Sequence, residues 1–197
     1  MPRHPFTDTR ERIESAATRL FVEKGVAETT VRDIARAVEV SEGALYRHFA
    51  SKDELVWRIF ERHYVEFADR LQKLAAEEPS TRAKLDAMIR GFCRAHDENP
   101  TLFRFLLFVQ HGQLEKLSAD TPTPVGVVRA VLERGLRSGE IPDQDADLAT
   151  ALMFGIVLEP VQFAAYGRLP AGMQALAGRL AAAVWAAITA VPSGEIR

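Results

Sequence analysis

Apolar residues recur at steps of three and four along almost the whole chain, and no stretch alternates apolar with polar long enough to read as a strand. The pattern predicts an all-α protein of about nine helices. Ile13, Ala16, Ala17, Leu20 and Phe21 mark the inward stripe of a first helix over residues 8–24, opened by Asp8 with Glu11 and stopped by Gly25. A second, short helix opens with Thr30 and Asp33 at capping-box spacing and turns Val31, Ile34, Ala35 and Val38 inward. After a break at Glu39 and Val40, Ser41 caps a third helix reaching to Phe49, with Leu45 and Phe49 on its inner side. Ser51 and Glu54 open a long fourth helix whose stripe is Leu55, Ile59, His63, Phe67, Leu71 and Leu74. At ~1.5 Å per residue it is roughly 40 Å long, enough to bridge two domains.

Downstream, Leu85, Met88, Ile89, Phe92 and His96 form the stripe of a fifth helix that ends near Asn99 and Pro100. The sixth, from Leu102 to Val109, is apolar nearly all round, which predicts burial on most sides. A loop over residues 112–124 leads to a seventh helix through Val128, Val131, Leu132 and Leu136, stopped by Gly139. The eighth starts near Asp145 and the ninth near Pro170, with Leu176, Leu180, Val184, Ala187 and Ile188 facing inward. Residues 148–166 are the most apolar segment, but Glu159, Pro160 and Gln162 interrupt it, so it reads as a buried helix rather than a membrane span. An acid buried there needs a partner or water, the partner being a group across a dimer interface or a cationic ligand, and Pro160 should kink the helix.

With 197 residues, 47% hydrophobic and 26% charged, the composition is that of a globular protein, for which length alone does not fix the number of domains. Charge supplies no footprint of a nucleic-acid partner. The formal net charge is −2, and in residues 1–50 Arg3, Arg10, Arg12, Arg19, Lys24, Arg32, Arg36 and Arg47 are matched by Asp8, Glu11, Glu14, Glu23, Glu28, Asp33, Glu39 and Glu42. Met1 to Arg12 lacks the apolar core of a signal peptide, and the single Cys93 fits a reducing compartment, which together predict a cytoplasmic protein. Cys93 and His96 lie three apart on one helix face, but two ligands without a second pair make a poor metal site, and a buried thiol beside a satisfied histidine is the simpler reading. No phosphate-cradling loop, nucleophile elbow or zinc-binding helix motif occurs, so no catalytic residue, metal or cofactor is expected.

Two short capped helices joined by a tight turn, preceded by a longer supporting helix, match a helix-turn-helix, whose second helix enters the DNA major groove. The outward residues of that helix suit the task. Ser41, Glu42, Gly43, Ala44, Tyr46, Arg47 and His48 face outward: the small ones allow close approach, Arg47 can donate to a guanine or a phosphate, and Tyr46 and His48 can reach phosphate oxygens. Helix starts at Thr30 and at Ser51–Lys52 add backbone donors.

The run Thr29-Thr30-Val31-Arg32-Asp33-Ile34-Ala35, then Val40-Ser41-Glu42-Gly43-Ala44-Leu45-Tyr46-Arg47-His48-Phe49 and Ser51-Lys52-Asp53-Glu54-Leu55, resembles the DNA-binding region of the TetR family of repressors, as does the preceding Leu20-Phe21-Val22-Glu23-Lys24-Gly25. The resemblance spans about residues 8–60 and agrees at many fixed spacings. It implies phosphate contacts from Thr30 and Lys52, a backbone clamp from Tyr46 and His48, and base reading by Ser41, Glu42, Gly43, Ala44 and Arg47, with Arg32 on the same DNA-facing side. One departure stands out: Val38-Glu39 replaces the family's usual Ala-Gly at the turn, placing a side chain at the left-handed position, at a cost of about 1 kcal/mol.

The resemblance further implies a helix-turn-helix domain over residues 1–52, and an effector-binding and dimerisation domain over 53–197. The expected function is a repressor released from a palindromic operator on double-stranded DNA by a small, largely apolar effector, acting as a homodimer without a membrane. Aromatic and methionine residues concentrate in the fourth to eighth helices, and Phe60, Tyr64, Met88, Phe92, Phe103, Phe108 and Met153, with Glu159, are the expected effector contacts. The apolar eighth and Ala-rich ninth helices are the expected dimer pair, with Val184 and Ala187 at the contact. Two alternatives stay open at this stage, a helical interaction module without DNA and an enzyme built on a helical fold.

Overall fold

The computed structural model describes residues 9–169 and 172–190. All regular elements among them are helical: α1 (Thr9–Lys24), α2 (Val31–Ala37), α3 (Glu42–Tyr46), α4 (Lys52–Ala76), α5 (Thr81–Glu98), α6 (Pro100–Gln113), α7 (Pro124–Ser138), α8 (Ala146–Ala165) and α9 (Ala177–Thr189), with short 3-10 turns at Leu114–Lys116 and Gln174–Leu176. The cap expected at Asp8 and the helix start expected at Pro170 lie outside the described residues. The functional division expected at residue 52 is not a packing boundary. One compact unit comprises residues up to His63 together with 101–119, and the other comprises 64–100 and 120 onward, so the division falls inside α4.

In the first unit the α1 stripe of Ile13, Ala16, Ala17, Leu20 and Phe21 is buried as the periodicity requires, and Gly25 ends the helix at φ +90°. Ile34, Ala35 and Val38 are buried beneath α2, while Val31 is half-exposed. Phe105 of α6 stacks on Phe21 with ring centroids 5.9 Å apart, so α6 contributes directly to the core under the N-terminal helices. The rest of α6 corrects the expectation. Phe103 and Phe105 are buried, Leu102, Leu106, Leu107 and Val109 are half-buried, and Phe108 is 62% exposed. An apolar circumference says that no residue demands water, but burial also needs enough neighbouring chain to cover every side. Gly112 does not end α6, because a lone glycine costs only about 1 kcal/mol inside a helix.

The inward stripe of α4 also shifts from the expected one. Leu55, Val56, Ile59, Phe60, Tyr64, Ala68, Leu71 and Ala75 are buried, whereas His63, Phe67 and Leu74 are half-exposed. Each step of four advances ~400° and so drifts ~40° round the helix, and the buried series Leu55, Ile59, Phe60, Tyr64, Ala68, Leu71 and Ala75 mixes other steps with those of four. The helix itself, at 25 residues, is about 37 Å long.

In the second unit α5 packs against α7, α8 and α9 and buries Leu85, Met88, Ile89, Phe92, Cys93 and His96. Ser80 caps its start, where the Glu140 carboxylate also accepts the Thr81 N–H at 2.8 Å and the Thr81 hydroxyl at 2.9 Å. Thr123 and Pro124 open α7, and Gly139 closes it at φ +76°. Asp145 caps α8, and Arg129 of α7 holds Asp147 at 2.6 Å. The start of α9 follows from tertiary contact. Met173 is buried, and both its N–H and that of Gln174 donate to Asp97 at the end of α5, so the chain is fixed there before the helix opens at Ala177.

Only one side of α8 is buried, through Ala149, Thr150, Met153, Val157 and Val161. The helix is long and apolar enough by length and composition to cross a membrane, yet only 28% of that apolar window is buried within the chain. Leu148, Phe163 and Tyr166 are exposed, and so is Glu159, which corrects the expectation of an acid buried in a core helix. On α9, Val184 has no exposed surface, whereas Ala182, Ala183 and Ala186 are exposed, so Val184 belongs to the core.

Candidate nucleic-acid interface

The loop after α1 is assembled from backbone carbonyls that must find donors. The Thr29 hydroxyl lies 2.8 Å from the Gly25 carbonyl and 3.2 Å from that of Leu20. Thr30 then caps α2. Its hydroxyl oxygen accepts the Asp33 N–H at 3.1 Å, while Asp33 Oδ2 accepts the Thr30 N–H at 3.1 Å and the Thr30 hydroxyl at 2.9 Å. The backbone donor of Thr30 and then its hydroxyl hold the Asp33 carboxyl below its ordinary pKa, with Lys24 and Arg36 adding to the effect. Both donors of Thr30 are thus directed at Asp33, away from the phosphate role expected for that side chain.

Glu39 makes the turn at φ +59°, the only positive φ outside glycine among the described residues, which places a side chain where the sequence requires one. Arg12 of α1 donates from Nη2 to the Val38 carbonyl at 2.8 Å, immediately before that turn. Ser41 Oγ accepts the Ala44 N–H at 3.1 Å and starts α3. This helix is shorter than expected, ending at Tyr46, and a turn through Arg47 and His48 carries the chain to Phe49. Leu45 and Phe49 are fully buried, with the Arg10 guanidinium 5.2 Å from the Phe49 ring centroid. Ser51 Oγ accepts the Glu54 N–H at 3.0 Å, and Glu54 turns back to accept the Ala50 N–H at 2.7 Å.

Anchoring of Leu45 and Phe49 fixes which face of α3 looks outward. Ser41, Glu42, Gly43, Tyr46, Arg47 and His48 are exposed, as are Thr30 and Arg32, and Ala44 is half-buried. Lys52 is the exception. Its ammonium lies 2.7, 3.2 and 2.9 Å from the carbonyls of Val26, Ala27 and Thr29, so its side chain faces the α1–α2 loop.

The ion pairs show which charges of this region are engaged. Glu14 is buried and forms ion pairs with Arg62 of α4 and, at 3.1 Å, with Arg10. Glu23 pairs with Arg19, and Asp33 lies 3.8 Å from Lys24. Arg32, Arg36 and Arg47 form no ion pair with another described residue. Glu11, Glu28, Glu39 and Glu42 are likewise exposed and form no ion pair with another described residue, so the balance of charge persists at the surface and the interface is marked by its geometry.

The expected effector contacts divide. Phe60, Tyr64, Met88, Phe92, Phe103 and Met153 are buried, and burial pushes the Tyr64 hydroxyl above its ordinary pKa. Phe92 forms the centre of an aromatic cluster, 4.8 Å from Phe67 and 5.5 Å from Phe154, edge to face with both. Phe108 and Glu159 lie on the surface of the chain and do not line its interior. A cleft of about 100 Å³ between α5 and α9 is lined by Arg82, Leu85, Asp86, Gly178, Ala181, Ala182 and Trp185, none of them an expected contact. Among the described residues no three His, Cys, Asp or Glu side chains gather as metal ligands. Burial, and after it the Asp97 carboxylate, pushes the Cys93 thiol up to about 11, which keeps it protonated and unreactive at neutral pH.

Residues 13–59 match the model for bacterial regulatory proteins of the tetR family. The HTH-type transcriptional regulator TtgR of Pseudomonas putida is 41% identical over 164 residues, covering 76% of this chain and 77% of that protein. The fatty acid metabolism regulator protein of Bacillus subtilis is 25% identical over 154 residues, covering 76% of this chain and 79% of that protein. The fold is shared with the transcriptional regulator FadR from Bacillus subtilis, whose crystal structure holds stearoyl-CoA. The TM-score is 0.72 at 20% identity, over 91% of this chain and 98% of that one.

Proposed function

Because the chain belongs to the TetR family of bacterial transcriptional regulators, we propose that it is a cytoplasmic homodimeric repressor, released from a palindromic operator by a small, largely apolar effector. The observation that carries this reading is the outward face of α3, where Ser41, Gly43, Tyr46, Arg47 and His48 stand exposed above the buried anchors Leu45 and Phe49. Arg47 reads base edges, Tyr46 and His48 grip the phosphate backbone, and Arg32 and Arg36 supply positive charge beside them. This outward set, combined with the fixed helix-turn-helix, favours DNA over a protein partner. DNA contacts then come from residues 1–52, and effector binding and dimerisation from residues 53–197.

The uncovered apolar side of α8 and the small exposed residues of α9 support pairing with a second copy, which brings two recognition helices to half-sites ~34 to 36 Å apart. The Phe67–Phe92–Phe154 cluster supports an apolar effector with affinity for aromatic faces. The stearoyl-CoA held by the FadR structure offers an apolar acyl chain on a large, anionic carrier, and its acyl chain is the part that matches this reading, which makes it the first effector to test. Stacking of Phe105 on Phe21 supports a route from α6 into the N-terminal helices, in addition to the continuous α4.

Sequencing of DNA recovered by the purified protein from a random pool tests the reading. Enrichment of a two-fold symmetric motif is expected, and no enrichment refutes DNA recognition. Titrating stearoyl-CoA with and without the recovered duplex then tests the effector class. Reciprocal weakening by about 1 to 3 kcal/mol is expected, and equal affinities refute acyl-CoA as the releasing ligand.

A further inference from the structure

The start of α4 is joined to the start of α2 by one side chain. The three protons of the Lys52 ammonium match three acceptors, the Val26, Ala27 and Thr29 carbonyls at 2.7, 3.2 and 2.9 Å, so its donor capacity is fully used inside the protein. These carbonyls belong to the loop that delivers Thr30, the cap of α2. At the other end of α2, Arg12 holds the Val38 carbonyl at 2.8 Å, one residue before the Glu39 turn that launches α3. The second helix is therefore pinned at both ends by cations from its neighbours, and the recognition helix follows it after only a short turn.

We propose that Lys52 is a positioning residue of the DNA-binding unit and not a phosphate ligand: its ammonium locks the α1–α2 loop to the start of α4 and so fixes the angle at which α3 is presented. This inference rests on the DNA-binding reading above for its consequence, but not for the lock itself. A phosphate could take the ammonium only by displacing one of its three carbonyls, which would leave that carbonyl needing another donor. Any movement of α4 along its axis must likewise carry the loop with it or break the lock.

The test compares the full-length wild type with Lys52→Met and Lys52→Arg. Hydrogen–deuterium exchange of the amides from Ala27 to Arg32 should quicken at least ~10-fold in Lys52→Met, with the α9 amides unchanged, and Lys52→Arg should recover much of the protection because its fork can still reach two carbonyls. Binding of Lys52→Met to a duplex selected by the wild type should weaken about 10-fold. The slope of log affinity against log salt should stay within about 0.3 of the wild-type value, since no phosphate contact is lost. A slope shallower by about 0.9 with unchanged exchange would make Lys52 a phosphate ligand and overturn the proposal. Exchange that quickens equally throughout the chain also overturns it, because the lock is local. The exchange measurement needs no DNA, so a wild type that selects no duplex would refute the DNA-binding reading while the lock is still decided.

Discussion

Replacing Asp97 by alanine should destabilise the protein by about 3 kcal/mol, through the loss of three hydrogen bonds made by one carboxylate. Asp97 Oδ1 accepts the Met173 N–H at 2.8 Å and faces His96 Nδ1 at 2.9 Å, while Oδ2 accepts the Gln174 N–H at 2.9 Å. Hydrogen bonds to a charged group contribute about 1.5 to 3 kcal/mol each; Gln174 is exposed, so water replaces its bond, and the Met173 and His96 bonds at the low end of that range give about 3 kcal/mol. Asp97→Asn keeps one acceptor and should lose about half as much. For a chain of this size the alanine variant should melt about 6 to 12 °C lower. Melting at several protein concentrations separates this from altered self-association. The pH dependence is an independent check. Desolvation, the largest single influence, raises the Asp97 pKa, but the Gln174 N–H, His96 and the Met173 N–H together outweigh it, and the net value lies below the ordinary aspartate range. A carboxyl depressed in the folded state stabilises fully above its unfolded pKa of about 3.9 and loses that contribution as pH falls through the folded value. The gap between wild type and Asp97→Asn should be flat above about pH 5 and close in acid. A loss below about 0.5 kcal/mol for Asp97→Ala, or a gap that widens on acidification, would refute the reasoning.

Glu39→Gly should stabilise by about 0.5 to 1 kcal/mol, because relief of about 1 to 2 kcal/mol of left-handed strain exceeds the added entropy of a glycine in the unfolded chain; a lower melting temperature would contradict this. Arg47→Ala should relax base preference by about 1 to 3 kcal/mol at one or two base pairs, whereas Tyr46→Ala should weaken all sequences alike; an unchanged recovered motif for Arg47→Ala would remove its base-reading role. Phe163→Arg and Ala183→Arg, on the uncovered sides of α8 and α9, should yield folded monomers in light scattering, and an unchanged mass for both would move the interface elsewhere. Val184→Arg is unsuited to this test, since Val184 is a core residue and a buried, unpaired arginine would unfold the chain.

Features closed within one turn of chain were legible in the amino-acid order. The Thr30–Asp33 cap, the Ser41 cap, the left-handed Glu39 and the stops at Gly25 and Gly139 each join residues at most four apart, so their geometry follows from local stereochemistry. The outward set on α3 was legible for the same reason, because burying Leu45 and Phe49 leaves its other residues one direction to face. Tertiary structure decided the rest. Lys52 meets the Val26 carbonyl 26 residues away and Arg12 meets the Val38 carbonyl 26 residues away, distances across which no periodicity speaks. Apolarity likewise marked α6 and α8 as helices that avoid water, but coverage depends on how much surface other segments bring to them. That is why Phe105 is buried while Phe108 is exposed, and why Met153 is buried while Glu159 and Phe163, on the same helix, are not.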